Sequence, residues 1–158
     1  MRNFPVEHEG KTYWISRSVA VAGFIFTKDN QGNWLVLANK RGPGCPDNVG
    51  KWVCPCGYLD YDETLKTAII REVYEETGVL VPADKLQFAG IDDVPEGRQN
   101  LTVKFTAYLG SDSPAVKMLS KEHCEPDEVD EVMWIPVAKA GEYDWAFGHY
   151  ELIRSFVP

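Results

Sequence analysis

The sequence predicts a mixed α/β fold, built mostly from short strands with one central helix and one closing helix. Its 158 residues match the size of one domain, and a content of 44% hydrophobic and 12% aromatic residues is enough to form a core. Apolar, β-branched segments alternate with turn residues and two helical patterns. Because no repeat, low-complexity tract or long linker divides the chain, we expect a single domain over residues 1–158.

The first predicted elements are strands. Ser18–Thr27 and Trp34–Arg41 are apolar, β-branched or aromatic, and the residues between them, 29–33, are typical of a turn. We interpret the two segments as a hairpin. Lys51–Cys56 is expected to form a further short strand.

The central helix is predicted over about Asp62 to Thr77. Asp60 followed three residues later by Glu63 resembles a capping box at the start of this helix. Gly78 suits the left-handed position that ends a helix. Both ends of the helix are therefore marked in the sequence.

The second half of the chain predicts three more strands and a helix. Leu86–Val94 and Leu101–Leu109 form a second strand pair around the turn at residues 95–97, and Glu131–Val137 is another strand. Trp145–Phe156 is expected to be the closing helix, with its apolar side on the core.

Charge and hydropathy exclude two classes of function. The formal net charge of -8 argues against binding a nucleic-acid duplex through its phosphates, since Lys and Arg provide most of that affinity. The longest apolar run, Val19 to Phe26, is too short to span a bilayer, and the N-terminus does not resemble a leader peptide. We expect a soluble, cytoplasmic protein that needs a cation if it handles phosphates.

The four cysteines, at positions 45, 54, 56 and 124, have no paired C-x-x-C spacing and are too few for a disulfide-stapled domain. We interpret them as small buried hydrophobic residues or free thiols, in preference to ligands of a structural zinc.

Three glutamates share one face of the central helix. Glu72, Glu75 and Glu76 stand at positions i, i+3 and i+4, which places their carboxylates within roughly 100° of arc. A solvated helix surface is the ordinary explanation of such a cluster. However, the same arc carries Leu65 and Ile69 one and two turns earlier, so the glutamates continue the stripe that should be buried.

The charges of this face favour a metal. Glu72 is followed at i+4 by Glu76, a like-charge pair that costs a few tenths of a kcal/mol, and only Arg71 offers local compensation. Convergent carboxylates with few cationic partners are the oxygen ligands that Mg²⁺ or Mn²⁺ prefers. The sequence therefore predicts a divalent-metal site.

The segment around these glutamates resembles the Nudix box, G-x5-E-x7-R-E-U-x-E-E-x-G-U, where U is an aliphatic residue. Gly57, Glu63 and the run from Arg71 to Val79 meet every fixed position over 23 residues. The likeness extends more loosely to residues 50–52 before the box and 131–136 after it. It implies a Nudix-type α/β/α sandwich with a mixed β-sheet, in which the box forms a loop, helix and loop.

The resemblance also implies roles for the box residues. Glu72, Glu75 and Glu76 would bind Mg²⁺ or Mn²⁺, together with the backbone carbonyl of Cys56. The family usually has Pro-Gly-Gly before the loop, whereas this chain has Pro55-Cys56-Gly57, and the Cβ of Cys56 restricts the backbone at the expected carbonyl ligand.

Two further box residues have alternative explanations. Glu63 matches the first glutamate of the family, but it is equally explained as an acidic residue stabilised by the helix dipole. Arg71 is expected to orient a box carboxylate through paired hydrogen bonds, with an ordinary surface arginine as the alternative.

The implied reaction is metal-dependent hydrolysis of a diphosphate linkage by attack of water on phosphorus. In this family the general base is a box glutamate or a glutamate from a later loop. Glu72 is our first choice, and the loop alternatives are Glu122, Glu125 and Glu128.

The substrate stays open among ADP-ribose, other nucleotide sugars, dinucleotides and nucleoside triphosphates. Residues 145–153 are loosely similar to a segment of Nudix enzymes that act on ADP-ribose, although an amphipathic helix that packs Phe147, Tyr150 and Ile153 on the core explains them equally well. Candidates for stacking on a base, each more readily explained as core or sheet surface, are Trp14, Trp34, Trp52, Tyr58 and Phe105.

The sequence leaves two other functions as alternatives. A non-catalytic nucleotide-sensing module would keep the fold, but the box carboxylates are intact and no helix-turn-helix segment is evident. An isomerase of isopentenyl diphosphate would need a catalytic cysteine, for which Cys54 and Cys56 are the candidates. No membrane partner is expected, and homodimer formation is left open.

Overall fold

The computed structural model describes residues 2–122, 124 and 127–158 and has nine strands and two α-helices in that part of the chain. Two 3₁₀ helices, Pro114–Lys117 and Val137–Glu142, lie among the later elements. The strands are β1 Phe4–His8, β2 Lys11–Ile15, β3 Ser18–Lys28, β4 Trp34–Arg41, β5 Trp52–Val53, β6 Cys56–Tyr58, β7 Gln87–Asp92, β8 Asn100–Tyr108 and β9 Val129–Pro136, and the helices are α1 Leu65–Thr77 and α2 His149–Phe156.

The main sheet is mixed and contains seven strands, of which β3 is the centre. β3 pairs in parallel with β8 from Ser18↔Asn100 to Phe26↔Tyr108, and it pairs antiparallel with β4 and β6. β7 lies antiparallel to β8, and both β5 and β9 lie antiparallel to β4. Since β3 lies inside the sheet, its near-continuous apolar sequence is buried on both faces.

The two helices lie on opposite faces of this sheet. On one face, Val21 and Ile25 of β3 belong to the cluster that contains Ile69 and Val73 of α1. On the other face, Phe24 belongs to the cluster of α2 residues. The alternation of side chains along β3 thus gives three layers, and the predicted α/β/α sandwich with a mixed sheet is confirmed.

The start of α1 differs from the predicted capping box. The N-cap is Thr64, whose hydroxyl oxygen accepts the Thr67 N–H at 3.2 Å. Glu63 does accept the Asp60 N–H at 2.9 Å, but this bond closes the loop before the helix. Asp60 is therefore not the cap, because Thr64 provides the acceptor at the place where helical backbone begins. The end of the helix is as predicted, with Gly78 at φ 73°.

The hairpin β3–β4, the antiparallel pair β7–β8 and strand β9 confirm the predicted strands. The prediction of a single strand over Lys51–Cys56 was wrong. The segment forms two short strands, β5, which pairs with β4, and β6, which begins at Cys56 and pairs with β3.

The closing helix begins four residues later than predicted, at His149 instead of Trp145. The backbone of Phe147 and Gly148 has φ 58° and 70°, which is incompatible with a right-handed helix.

The separate hairpin β1–β2 was not predicted. It turns through Glu9 and Gly10, both with positive φ. Within the described residues, no helix is long and apolar enough to cross a membrane.

Candidate functional site

Arg71 of α1 organises the carboxylates of the box. Its Nε and NH2 donate to both oxygens of Glu63, at 3.1 and 2.6 Å, and its NH1 donates to Glu72 at 2.8 Å and to Glu75 at 3.0 Å. A fifth hydrogen bond, at 3.0 Å, goes to the carbonyl oxygen of Tyr58 in β6. One guanidinium therefore fixes three carboxylates and ties the helix to the neighbouring strand.

The first two of these carboxylates are well shielded. The side chains of Glu63 and Glu72 are 10% and 12% exposed, whereas that of Glu75 is 47% exposed. The hydrogen bonds from Arg71 hold the pKa of Glu63 below its ordinary value. Burial raises the pKa of Glu72, and the charge of Arg71 opposes this change.

Gly57 is a glycine because Glu72 packs directly on it. A Cβ at this position would lie 2.2–2.4 Å from the Glu72 carboxylate atoms. Neither Gly57 nor Cys56 has a positive φ, so the requirement at position 57 is for space and the Cβ of Cys56 causes no backbone strain. Pro-Cys-Gly is therefore compatible with the loop.

Glu76 lies apart from the Arg71 cluster. Its carboxylate accepts the N–H of Cys56 at 3.0 Å. Burial raises its pKa well above the ordinary value, and the charge of Glu72 adds to this effect, while Arg41 of β4 and the Cys56 N–H oppose it. Glu76 is thus a desolvated acid with too little positive charge around it.

The predicted convergence of the three glutamates on a metal site is not seen in this arrangement. Among the described residues, no three His, Cys, Asp or Glu side chains are arranged to hold a metal ion. Arg71 draws Glu72 and Glu75 towards Glu63, while Glu76 turns to Cys56.

The donor chemistry nevertheless fits a divalent cation. Glu72 and Glu76 are partly desolvated carboxylates close enough for one charge to perturb the other, and a hard cation would compensate both. The ligand roles of Glu72, Glu75, Glu76 and the Cys56 carbonyl stay predictions.

Of the two loop candidates for the general base that the structure describes, Glu128 is the one whose charge acts on Glu76 and raises its pKa. Its backbone is fixed by the Gly42 N–H, which donates to the Glu128 carbonyl at 2.7 Å. Glu122 is exposed at the surface, and Glu125 lies outside the described residues.

A cavity of about 480 Å³ lies next to the carboxylates, on the α2 side of the sheet. Ala20 and Ala22 of β3 form its floor, and their small side chains leave the volume free. Ala22 pairs with Cys56 on one side and with Lys104 on the other, so these three side chains project from the same face. The polar and aromatic lining includes Arg41, Asp47, Tyr58, Asp92, Arg98, Lys104, Phe147 and His149.

Two of the three cations in this cavity are paired with acids. Arg41 binds the side chain and the backbone carbonyl of Asp47, each at 3.0 Å. Arg98 is paired with Asp92. Lys104 has no ion-pair partner in the described part of the chain, so it gives the cavity a net positive charge inside an acidic protein.

The expectation that Phe147 packs on the core is wrong. It precedes α2, is 45% exposed, and lies beneath Arg41, whose guanidinium carbon is 5.3 Å from the ring centre. A bulky residue with φ 58° is strained, and such strain is concentrated at functional sites. Tyr150 and Ile153 do pack on the core as expected.

Of the five stacking candidates, Tyr58 lines the cavity and is 60% exposed. Trp14 is on the separate hairpin, Trp34 packs on Tyr108, and Trp52 and Phe105 are buried. The exposed aromatic rings of the cavity are therefore Tyr58 and Phe147.

The cysteines are free thiols, and Cys54 is fully buried. Burial raises the pKa of Cys54 and Cys56 well above the ordinary value. Because the thiolate is the reactive form, neither residue has the environment of a catalytic nucleophile.

The family model described as NUDIX domain matches residues 16–156. The chain belongs to the Nudix family. A "MutT-like protein" of Streptomyces ambofaciens is 34% identical over 117 residues, which is 73% of this chain and 69% of that protein.

Solved structures share the Nudix fold at lower identity. The NUDIX domain of Shewanella oneidensis NrtR, crystallised with ADP ribose, is 23% identical with a TM-score of 0.71, over 89% of this chain and 86% of that one. A structure of NrtR with a 27mer DNA has a TM-score of 0.68 and 23% identity, over 86% of this chain and 58% of that one. A C. elegans Ap4A hydrolase has a TM-score of 0.63 and 19% identity, over 88% of this chain and 94% of that one.

Proposed function

We propose that this Nudix domain hydrolyses the diphosphate linkage of a nucleoside diphosphate derivative, with ADP-ribose as the first candidate substrate. The observation that carries the proposal is the adjacency of the box carboxylates to a cavity lined by cations. Glu76 bonds the N–H of Cys56, and Cys56 itself lines the cavity. A diphosphate bound there reaches both sets of groups.

The box residues and Glu128 have different proposed roles in hydrolysis. Glu72, Glu75 and Glu76, with the Cys56 carbonyl, would hold Mg²⁺ or Mn²⁺, and the cation would supply charge neutralisation at the diphosphate, activation of water and stabilisation of the leaving oxygen. Arg71 holds Glu72 in a fixed orientation against Gly57, and Glu72 is the first candidate for the base that takes the proton of the attacking water. Glu128 is the alternative, since its charge reaches Glu76.

The cavity supports a substrate with both a flat ring and negative charge. Phe147 and Tyr58 offer exposed aromatic surface, and Lys104 offers a cation that has no ion-pair partner among the described residues. A nucleotide provides a base that can stack on the aromatic surface and phosphates that can pair with the cation. The Ap4A hydrolase and the ADP-ribose complex among the structural neighbours support this class of substrate.

The test is an assay with Mg²⁺ on ADP-ribose, other nucleotide sugars, dinucleotides and nucleoside triphosphates. We expect turnover that chelation abolishes, and heavy oxygen from water in a phosphate product. Glu72→Gln should lose most of the activity, whereas Glu142→Gln, the same change at an exposed site, should retain it. Activity that survives exhaustive chelation, or label on sugar carbon alone, would contradict the mechanism.

A non-catalytic nucleotide-binding module is the second candidate, because NrtR, whose structures include one with ADP ribose and one with a 27mer DNA, is among the structural neighbours. The same assay separates the two functions. Binding of ADP-ribose without turnover in the presence of metal would favour the non-catalytic binding function.

A further inference from the structure

The cavity contains a buried histidine whose tautomer is fixed by the fold. His149, the first residue of α2, is 4% exposed and lines the cavity. The backbone N–H of Cys54 donates to its Nδ1 at 2.9 Å. Because a backbone amide can only donate, Nδ1 is the acceptor and the ring proton resides on Nε2.

His149 is neutral at physiological pH. Burial, with the charges of Arg41 and Lys104, lowers its pKa to about 4. The ring is also held in place, since it makes edge contacts with Phe24 at 5.2 Å and Phe147 at 5.8 Å between centroids. Nε2–H is therefore a rigid neutral donor.

No group among the described residues accepts a hydrogen bond from this donor, although Nδ1 of the same ring has a partner. His149 Nε2 is not among the fully enclosed polar atoms that lack a partner, so its N–H opens into the cavity, where a ligand or water can accept it. The cavity is where such an acceptor would lie.

Lys104 provides a matching charge. It is half-buried in the middle of β8, its charge is felt by His149, and it lines the same cavity. Arg41 and Arg98 are neutralised by Asp47 and Asp92, whereas Lys104 is not paired within the described part of the chain. It lies two strands from Cys56, about 10 Å at ordinary strand spacing.

We propose that the Nε2–H of His149 and the ammonium group of Lys104 bind the same phosphoryl oxygen of the substrate, an inference that rests on the proposed diphosphate hydrolase function. A ribose hydroxyl would satisfy the histidine but would leave the lysine charge unmatched. An anionic oxygen satisfies both. The pair makes the cavity selective for a charged diphosphate over a nucleoside.

The variants separate this role from folding. His149→Asn places an amide oxygen where Nδ1 stands, so it keeps an acceptor for Cys54 and removes the Nε2–H that reaches into the cavity; its own shorter amide N–H group stands at the position of the ring Cδ2. Lys104→Met keeps the aliphatic stem and removes the charge. Lys85→Met, at an exposed position outside the cavity, is the matched control for net charge.

The measurement is calorimetric binding of ADP-ribose, inorganic pyrophosphate and adenosine in chelator, with melting temperatures as the check of folding. We expect each single variant to weaken ADP-ribose binding about tenfold. The loss of ADP-ribose affinity in the double variant should be smaller than the product of the two single losses, because both groups bind one oxygen. Adenosine binding and the Lys85→Met control should be unchanged.

Three results would overturn the inference: wild-type protein that binds neither phosphate compound at millimolar concentration, folded variants that bind like wild type, or an equal loss for adenosine. If His149→Asn does not fold, Lys104→Met decides alone. Wild-type protein that binds ADP-ribose but does not hydrolyse it with Mg²⁺ would refute the proposed function and leave this inference standing.

Discussion

The two sides of the site carry opposite charge and are assembled differently. The carboxylate side comes from one continuous stretch, residues 57–79, in which a single arginine holds three glutamates. The cavity side draws on β3, β4, β8, the loop after β7 and the start of α2, and its unpaired charge is positive. Under the proposed function, the carboxylate side would hold the metal and the cavity side would recognise the substrate.

The largest expected effect is on the carboxylate side, at Arg71. Arg71→Met leaves Glu63 and Glu72 shielded without their partner, and we expect the free energy of unfolding to fall by about 3 kcal/mol. Denaturant unfolding measures this value. Arg71→Lys should recover part of the loss, since it restores charge but not the fork of donors.

The control for this change is Arg2→Met, at an exposed position, which should shift stability by no more than about 0.5 kcal/mol. Equal, small effects of Arg71→Met and Arg2→Met would mean that the cluster is an ordinary surface network.

Gly57→Ala tests how tightly the carboxylate side is packed. The added Cβ would overlap the Glu72 carboxylate, so we expect a loss of about 1–3 kcal/mol and of most activity. Gly110→Ala meets nothing within 4 Å and should be neutral or stabilising by about 0.5 kcal/mol. Full activity in Gly57→Ala would show that the position of Glu72 is not critical.

The smallest expected effect is on the cavity side. Phe147→Ala should raise KM for a nucleotide substrate about fivefold or more through lost stacking, with kcat changed less. Phe88→Ala removes a ring that is 64% exposed on β7, outside the cavity, and is the control. Steady-state kinetics give KM and kcat for both variants. Identical KM values would show that Phe147 is not part of the binding surface.

The same comparison explains how far the sequence predicts the site. Arg71 and the three later glutamates all lie on α1, so helical periodicity alone places them on adjoining turns, and Glu63 lies in the loop just before this helix. The register of β3 with β6 and β8 brings Cys56 and Lys104 to either side of Ala22, and no local pattern encodes that pairing.

Single residues outside the box were harder to assign. Phe147 has the spacing of a core residue, and only the positive φ of Phe147 and Gly148 turns it out of the helix. The separate hairpin had a usable signal, Glu9-Gly10 between alternating apolar residues. Thr64, a cap-forming residue immediately before the apolar stripe, likewise indicated where α1 begins.

Glu76→Gln tests the central claim, that the box carboxylates destabilise the metal-free protein because they are placed to bind metal. The folded-state pKa of Glu76 is raised above its ordinary 4.5, so its contribution to stability is present below that pH and is lost as the pH rises through the folded-state value. At neutral pH its charge is destabilising. Glutamine removes the charge and keeps an oxygen for the Cys56 N–H.

Thermal melts in chelator and in Mg²⁺ give the result most directly. In chelator, Glu76→Gln should melt at the same temperature as wild type or higher. Mg²⁺ at about a hundred times its Kd should stabilise wild type and Glu142→Gln by roughly 2.7 kcal/mol and the Glu76→Gln variant far less. A Glu76→Gln protein that melts well below wild type in chelator, yet keeps the full Mg²⁺ shift, would show that Glu76 is a structural residue and not a metal ligand.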